Sequence, residues 1–306
     1  MKAVIYTKYG APSVLKLVDI EKPKPKDNEI LVKICATTVT SGDTRLRSSN
    51  FPPVAWLLVR LMFGLFKPKK EILGHELSGI VEAVGKVVTK YKVGDEVIAT
   101  PTMLSTGSYT EYICIPQERK KGVLGLKPKS LDFKEAAALP VGGMTALFLL
   151  LKAKLGTGQE VLVYGASGSV GSYAIQIAKE QGARVVAVCS SSNFEMVTAL
   201  GADSAIDYRK QDYSLLEKKF DIVFDAVGKT SKPKAKKVLK QGGSFVTVKS
   251  ITSPKQEHLN KLCELAETGN VRPYIDKCFP LSEMVAAHEY VDKGQKKGNV
   301  VIEIAN

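Results

Sequence analysis

Two rhythms of apolar and polar positions divide the chain. Up to about residue 120 the apolar positions come in short runs bounded by turn signals: Lys2–Thr7, Leu15–Asp19, Glu29–Cys35, Leu77–Val84, Glu96–Thr100 and Tyr109–Ile115. Ile30-Leu-Val-Lys-Ile-Cys35 has the period of a half-buried strand. Gly85, Gly94-Asp95 and Gly107-Ser108 punctuate these runs as turns. This part predicts a mostly-β domain folded as a partly closed barrel.

From about Leu124 strand-like runs alternate with helical ones. Strands are expected at Glu160–Tyr164, Arg184–Cys189, Ala205–Asp207, Asp221–Asp225 and Ser244–Val248. Between and after them, helices are expected at Ser169–Gln181, Phe194–Leu200, Ser214–Lys219, Pro233–Lys240 and Pro254–Glu267. That alternation predicts a doubly wound parallel sheet. After Gly269-Asn270 a strand–helix–strand tail (Tyr274–Ile275, Leu281–Val291, Asn299–Ile304) returns to the mixed character of the first part. The fold class is therefore α/β, with a discontinuous domain of residues 1–123 and 269–306 around an inserted domain of residues 124–268.

The most informative stretch is Val161-Leu-Val-Tyr-Gly-Ala166-Ser-Gly168-Ser-Val-Gly171, leading into Ser172-Tyr-Ala-Ile-Gln-Ile-Ala178. A buried-type strand enters a turn of small residues, a helix follows, and Arg184–Cys189 is a second strand. That is the first βαβ unit of a dinucleotide-binding fold, with alanine at the first position of Ala-x-Gly-x-x-Gly. Ala166 is assigned the sharp turn, Gly168 the close approach of a pyrophosphate, and Gly171 the close packing of helix on strand. The free N–H groups and positive dipole end of the helix then face the phosphates, which makes Ala166, Ser167, Gly168, Ser169, Val170 and Gly171 candidate cofactor contacts.

Phe51–Phe66 stands apart, an apolar stretch interrupted by Arg60 and holding Trp56, the sole tryptophan. It is too short to span a bilayer. A core helix, an apolar lid over a substrate cleft between the domains, and a membrane-surface anchor remain open readings.

Composition adds bounds. The 306 residues are 44% apolar and 25% charged, as in a globular enzyme of two domains. Met1-Lys-Ala-Val-Ile-Tyr-Thr7 reads as a strand, so no secretory signal is expected. Five cysteines, at 35, 114, 189, 263 and 278, lack Cys-x-x-Cys spacing and sit mostly in apolar runs. Reduced, buried thiols in a cytoplasmic protein are expected. The net charge of +13 is densest over Lys229–Lys240. With neither arginine nor interleaved aromatics, this stretch reads as a solvated helix face rather than a nucleic-acid site. A basic surface also raises the local concentration of an anionic cofactor.

The motifs together resemble the medium-chain dehydrogenase/reductase superfamily. The residues that carry the resemblance are Gly74-His-Glu-Leu-Ser-Gly79-Ile-Val-Glu-Ala-Val-Gly85, Tyr91-Lys-Val-Gly-Asp95-Glu-Val, Ala136-Ala-Ala-Leu-Pro140-Val-Gly-Gly-Met-Thr145-Ala-Leu, Asp225-Ala-Val-Gly228 and Lys297-Gly298-Asn-Val-Val-Ile. The resemblance implies a GroES-like catalytic domain and an inserted Rossmann domain. Zinc-dependent members carry cysteine where this chain has Thr40 and Val141, and a histidine matched by His75. Their cysteine-rich lobe has no counterpart in Thr100–Ser108. The chain therefore resembles the zinc-independent, quinone oxidoreductase-like branch, which implies hydride transfer to a quinone or an α,β-unsaturated carbonyl.

By matched position, Thr40, Asp43 and Arg45 lie where an oxygen gaining charge needs a donor, and His75 is a candidate proton source. Thr145, Val227 and Gly228 are implied at the nicotinamide. Ser190, Asn193 and Tyr208 are implied at the adenosine ribose, and Lys297 and Asn299 at the phosphates. No metal is expected. Relative to the family pattern the chain is abbreviated between Gly243 and His258, where the strand that commonly pairs across a homodimer falls; a homodimer built that way is in question.

Three readings stay open: an NADPH-dependent reductase of a small lipophilic carbonyl or quinone, a zinc-dependent alcohol dehydrogenase, and a non-catalytic nucleotide or nucleic-acid binder on the same fold. The cofactor expectation is NADPH. NAD enzymes place a carboxylate at the end of the second strand for the ribose 2′-hydroxyl. Here that position is Cys189, followed by Ser190-Ser-Ser-Asn193, with Tyr208-Arg209 after the third strand.

Overall fold

A computed structural model describes residues 1–51, 53–250, 252 and 255–304, the side chains of 53–55 excepted. The chain forms two compact units, Met1–Val141 with Ile275–Asn306, and Gly142–Tyr274. The sequence placed the transitions at 123/124 and 268/269.

The elements run in order: β1 (Lys2–Ile5), β2 (Lys16–Asp19), β3 (Glu29–Thr38), α1 (Ser41–Ser48), α2 (Pro53–Phe63), β4 (Leu77–Val84), β5 (Glu96–Ala99), β6 (Tyr112–Pro116), β7 (Leu124–Leu126) and α3 (Phe133–Lys152). Next come β8 (Glu160–Tyr164), α4 (Ser169–Glu180), β9 (Arg184–Cys189), α5 (Phe194–Ala199), β10 (Ser204–Asp207), β11 (Phe220–Asp225), α6 (Lys232–Lys236), β12 (Leu239–Thr247) and α7 (Gln256–Glu267). β13 (Ile275–Pro280), α8 (Met284–Asp292) and β14 (Asn299–Glu303) close the chain.

In the first unit, among the described residues, a seven-stranded sheet runs β13-β14-β3-β4-β5-β7, with β6 on β3. The sheet is not closed. Its long central strand β3 alternates as the sequence predicts, and Ile30, Val32 and Ile34 meet Leu77, Val81, Val97, Ile113 and Ile115 in one core. A second core joins Val4, Tyr6 and Tyr109 to Met284, Ala287 and Val291 of α8.

The second unit holds a five-stranded parallel sheet in the order β10-β9-β8-β11-β12. β8 and β9 are continuous apolar runs because helices cover both faces of such a sheet. β12 lies at its edge, with a register shift against β11 between Phe220 and Ile222.

Several expectations are corrected. Ser214–Lys219 is not a helix: Asp212 accepts from the Ser214 N–H and the chain makes a single 3-10 turn, Tyr213–Leu215. The helix expected over Pro233–Lys240 is the shorter α6, because the chain enters β12 at Leu239. Of the five free thiols only Cys189 is buried, and Cys278 is exposed. Phe51–Phe66 is not a core helix, since Leu57, Leu58, Leu61 and Met62 are exposed; Pro52 lies outside the described residues. So does Ile251, within the abbreviated stretch after β12. Among the described residues one helix, Phe133–Lys152, is long and apolar enough to cross a membrane, and 67% of its apolar window is buried in the fold.

Candidate active site and cofactor site

In the second unit the turn after β8 is built as a phosphate cradle. Gly165, not Ala166, makes the sharp turn: its φ is +77°, and a Cβ there would meet Val227 Cγ1 at 2.5 Å. Ala166 is instead buried, and Gly165 and Ala166 both donate their N–H to the Val188 carbonyl of β9. Gly171 has the packing role assigned to it, because a Cβ would come within 2.4 Å of the Gly165 carbonyl oxygen. Gly168 is the N-cap of α4 and supplies no side-chain cap, so the helix end keeps its dipole and donors for an anion. A Cβ at Gly168 would approach only the Gly165 carbonyl oxygen, at 3.5 Å.

The neighbouring strand ends supply the rest. Asn193 Nδ2 donates to Ser167 Oγ at 2.9 Å, tying the loop after β9 to the glycine turn. Ser190 and Ser192 hydroxyls are 3.0 Å apart. Cys189 is buried, and burial pushes its thiol up to about 11. Its Cα partner on β10 is Asp207, a carboxylate the sequence reading did not weigh. Asp207 accepts from the Arg209 N–H at 2.9 Å, and that bond, with contacts to Ser191, holds it below the usual carboxylate range. Tyr208 is exposed, with the Arg209 guanidinium 5.7 Å from its ring.

After β11, buried Asp225 organises the loop. Its Oδ1 accepts from the N–H groups of Val227, Gly228 and Lys229, at 2.9–3.3 Å. Its Oδ2 accepts from Thr247 Oγ1 at 2.8 Å. The N–H groups of Val227 and Gly228 are thus engaged, leaving their carbonyls. Thr145 lies on α3 one turn beyond Gly142, where a Cβ would meet Ser169 Oγ at 2.4 Å.

The other named residues lie in the first unit. Thr40 is the N-cap of α1 and forms a capping box with Asp43. Its hydroxyl donates to Asp43 Oδ2 at 2.6 Å and accepts from the Asp43 N–H at 3.2 Å, so its hydrogen is engaged within the cap. Asp43 is fully buried and also accepts from Thr40 N–H and Gly74 N–H, each at 2.9 Å, and from His75 Nδ1 at 2.8 Å. Gly74 turns the chain here with φ +101°. Burial opposes the charge on Asp43, but His75 and Thr40 outweigh it and hold the carboxyl far below its ordinary value. Burial likewise pushes the His75 imidazolium down, and the Asp43 charge and hydrogen bond outweigh it, for a net rise. The carboxylate fixes the proton on Nδ1, so Nε2 is the atom the ring presents; 37% of its side chain is exposed. Arg45 is exposed and its guanidinium has no partner among the described residues.

Residues not singled out complete the cluster. Burial raises Glu76 to about 8; Thr38 Oγ1 donates to it at 2.5 Å and Val141 N–H at 2.6 Å. Burial lowers Lys70 and Lys296 to about 8, against the attraction of Asp43 for the first and of Glu76 and Asp276 for the second. The Tyr109 hydroxyl lies 3.2 Å from His288 Nε2, and burial and the nearby Asp43 charge hold its phenol well above the ordinary value. Lys297 N–H donates to Asp276 at 2.9 Å, and Asn299 is buried in β14. Among the described residues no three His, Cys, Asp or Glu side chains converge as metal ligands.

The comparisons with known proteins agree with this architecture. Residues 26–127 match a family described as alcohol dehydrogenase GroES-like domain, and residues 169–270 one described as zinc-binding dehydrogenase. A 2-methylene-furan-3-one reductase from Solanum lycopersicum is 36% identical, over 99% of this chain and 79% of its own length. The chain belongs to the medium-chain dehydrogenase/reductase superfamily. A chloroplastic NADPH-dependent alkenal/one oxidoreductase from Arabidopsis thaliana is 34% identical, over 99% of this chain and 79% of its length. The solved structure of the quinone oxidoreductase from Coxiella burnetii superposes with a TM-score of 0.84 at 28% identity, covering 100% of this chain and 99% of that one.

Proposed function

We propose that this member of the superfamily is an oxidoreductase that uses NADPH to reduce a quinone or an α,β-unsaturated carbonyl, without a metal. The observation that carries the reading is the state of the three positions at which zinc-dependent relatives hold their metal. Thr40 has its hydroxyl engaged in a helix cap, Val141 supplies only a backbone N–H to Glu76, and His75 alone has a ligand side chain. His75 is bonded through Nδ1 to a buried carboxylate. That set suits an acid rather than a Lewis-acid site. The relatives named as enone and quinone reductases over the whole chain support the same class.

The chain fits NADPH: the Gly165 turn, the side-chain-free N-cap of α4 and the hydroxyl and amide groups of Ser190 and Asn193 match a pyrophosphate and a 2′-phosphate. β9 ends without the carboxylate that binds a 2′-hydroxyl. Bound, the cofactor supplies a hydride from C4 of its nicotinamide. The chain supplies the proton that balances it. His75 holds that proton at Nε2, Asp43 stabilises the imidazolium, and the exposed edge of the ring takes the next proton from solvent. Hydride on the β-carbon and this proton on the enolate together saturate the alkene; on a quinone, one hydride and this one proton give the hydroquinone. Thr40 positions Asp43, and the free guanidinium of Arg45 steadies an anion. A cytoplasmic location belongs to the same proposal and is supported by the five free cysteines.

The test is NADPH oxidation followed at the nicotinamide absorbance with a simple quinone and a simple enone, alongside elemental analysis of the purified protein. We expect turnover, a kcat/KM ratio favouring NADPH over NADH by roughly 10- to 100-fold, no stoichiometric zinc and no effect of a chelator. One zinc per chain with activity lost on chelation, or a preference for NADH, refutes the reading.

A further inference from the structure

The helix α2 and the turn after it carry an apolar face that the protein leaves open. Leu57, Leu58, Leu61 and Met62 fall at i, i+1, i+4 and i+5 and so share one side of the helix. All four are exposed, Leu58 at 66% and Met62 at 63%, and Phe66 beyond the helix is exposed at 88%. The opposite side is anchored. The Arg60 guanidinium lies 3.8 Å over the Tyr9 ring and bonds the Leu65 carbonyl, and the Tyr9 hydroxyl donates to the Gly64 carbonyl at 2.8 Å. The one charge within the apolar stretch is therefore turned inward. A surface helix of a globular protein is built the other way round, with its apolar side to the core.

Charge says what the face fits. Residues 44–70 contain Arg45, Arg47, Arg60, Lys67, Lys69 and Lys70, and the first acid after them is the exposed Glu71. Arg47 is buried against Asp292 and Arg60 points inward, but Lys67 and Lys69 are exposed directly after the helix. Lys69 is held at the helix end, with Nζ on the Leu61 carbonyl at 3.0 Å and N–H on the Phe63 carbonyl at 2.8 Å. An exposed apolar face edged by two lysines that form no ion pair among the described residues, on a chain of net charge +13, matches anionic headgroups above acyl chains. The 11 residues of α2 span about 16 Å, too short to cross a hydrocarbon core of about 30 Å, so the helix lies in the interface plane.

We propose that α2 and Phe66 form a peripheral membrane-binding face, which inserts Leu57, Leu58, Leu61, Met62 and Phe66 at the headgroup–acyl boundary of a bilayer containing anionic lipid, with Lys67 and Lys69 on the lipid phosphates. The face delivers the enzyme to the phase in which lipophilic quinones and enones dissolve.

The test is cosedimentation of the full chain with vesicles of phosphatidylcholine alone and of phosphatidylcholine with phosphatidylglycerol, at low and high salt. Binding is expected to the phosphatidylglycerol vesicles only, and to weaken as salt rises. Leu58→Asn and Met62→Asn should each lower the partition coefficient about tenfold. Lys67→Glu with Lys69→Glu should abolish the preference for anionic lipid. Without vesicles, the Leu58→Asn, Met62→Asn double variant should keep the wild-type KM for a small water-soluble enone. The proposal is overturned if the protein stays in the supernatant with phosphatidylglycerol vesicles, or binds them equally with and without the asparagines. A raised KM for the soluble enone would assign the face to a substrate lid. A dimer that the asparagines dissociate would assign it to a second copy of the chain. Neither outcome bears on whether NADPH is oxidised.

Discussion

Replacing Asp43 with asparagine removes one charge and almost no volume, and the consequences can be followed atom by atom. Oδ1 accepts from Gly74 N–H and His75 Nδ1, and Oδ2 from Thr40 N–H and Thr40 Oγ1. An asparagine keeps one oxygen and turns an NH2 toward the other pair of donors. A hydroxyl can rotate and an imidazole can change tautomer, but a backbone N–H cannot become an acceptor. Either way round, Gly74 N–H or Thr40 N–H loses its partner, at about 1–3 kcal/mol for an unsatisfied buried group. The ion pair with His75 goes too, but that ring is half-exposed and can give up its proton, so the total stays at about 1–3 kcal/mol. The assay is urea unfolding of wild type and Asp43→Asn across pH. Asp43 is held low in the folded state, so its contribution is present above the unfolded carboxyl pKa of about 3.9 and is lost only as pH falls through the lower folded value. His75 is raised, so its share is complete below about 6.5 and fades as pH rises through the folded value. The gap between the two proteins should therefore be widest between about pH 4 and 6.5, narrowing on both sides. Equal urea midpoints, or a gap independent of pH, would refute this account of the cluster.

Three further outcomes are expected. Gly171→Ala should cost about 1–3 kcal/mol by forcing a Cβ against the Gly165 carbonyl, and should raise the KM for NADPH more than it lowers kcat; an unchanged KM means the helix does not need that close approach. Cys189→Asp should narrow the NADPH preference by roughly 10- to 100-fold, and less if the neighbouring Asp207 keeps the new carboxyl protonated; the kcat/KM ratio with one quinone decides it. Glu76 is raised to about 8 in the fold, so the folded chain holds a proton that the unfolded chain releases near 4.5, and stability should fall with pH across that window. Glu76→Gln should flatten that decline, and a urea midpoint that falls as steeply in the variant would show that Glu76 titrates normally.

The βαβ unit and its turn were readable because they are local. An uninterrupted apolar strand, small residues and a helical period lie within one stretch, and the physics that joins them acts over a few residues. Even there the sharp turn falls one residue before Ala166, because the φ of +77° belongs to Gly165. α3 escaped notice because Pro140 and Gly142-Gly143 break its pattern, although Asp132 and Glu135 exchange the two bonds of a capping box at its start. α1 escaped because it is short and polar, with Thr40 and Asp43 as its signal. Ser214–Lys219 has helical composition, but after one 3-10 turn the chain becomes extended at Leu216, with φ −68° and ψ 139°. The Thr38–Glu76–Val141 and Tyr109–His288 contacts join residues from distant segments. No periodicity announces such meetings; only the folded chain does.

The edge strand β12 has a bearing on how this protein resists aggregation. Among the described residues the parallel sheet stops at its fifth strand, and an edge strand offers its peptide groups as a surface on which other chains polymerise. β12 is poorly suited to that fate. Its register against β11 is broken, Gly242 sits at φ +78° beside Gly243, and Lys240 is tied to Asp221 at 2.8 Å. A bent, charged, glycine-interrupted border cannot template a flat ribbon, so the abbreviated sheet carries its own protection against cross-β growth.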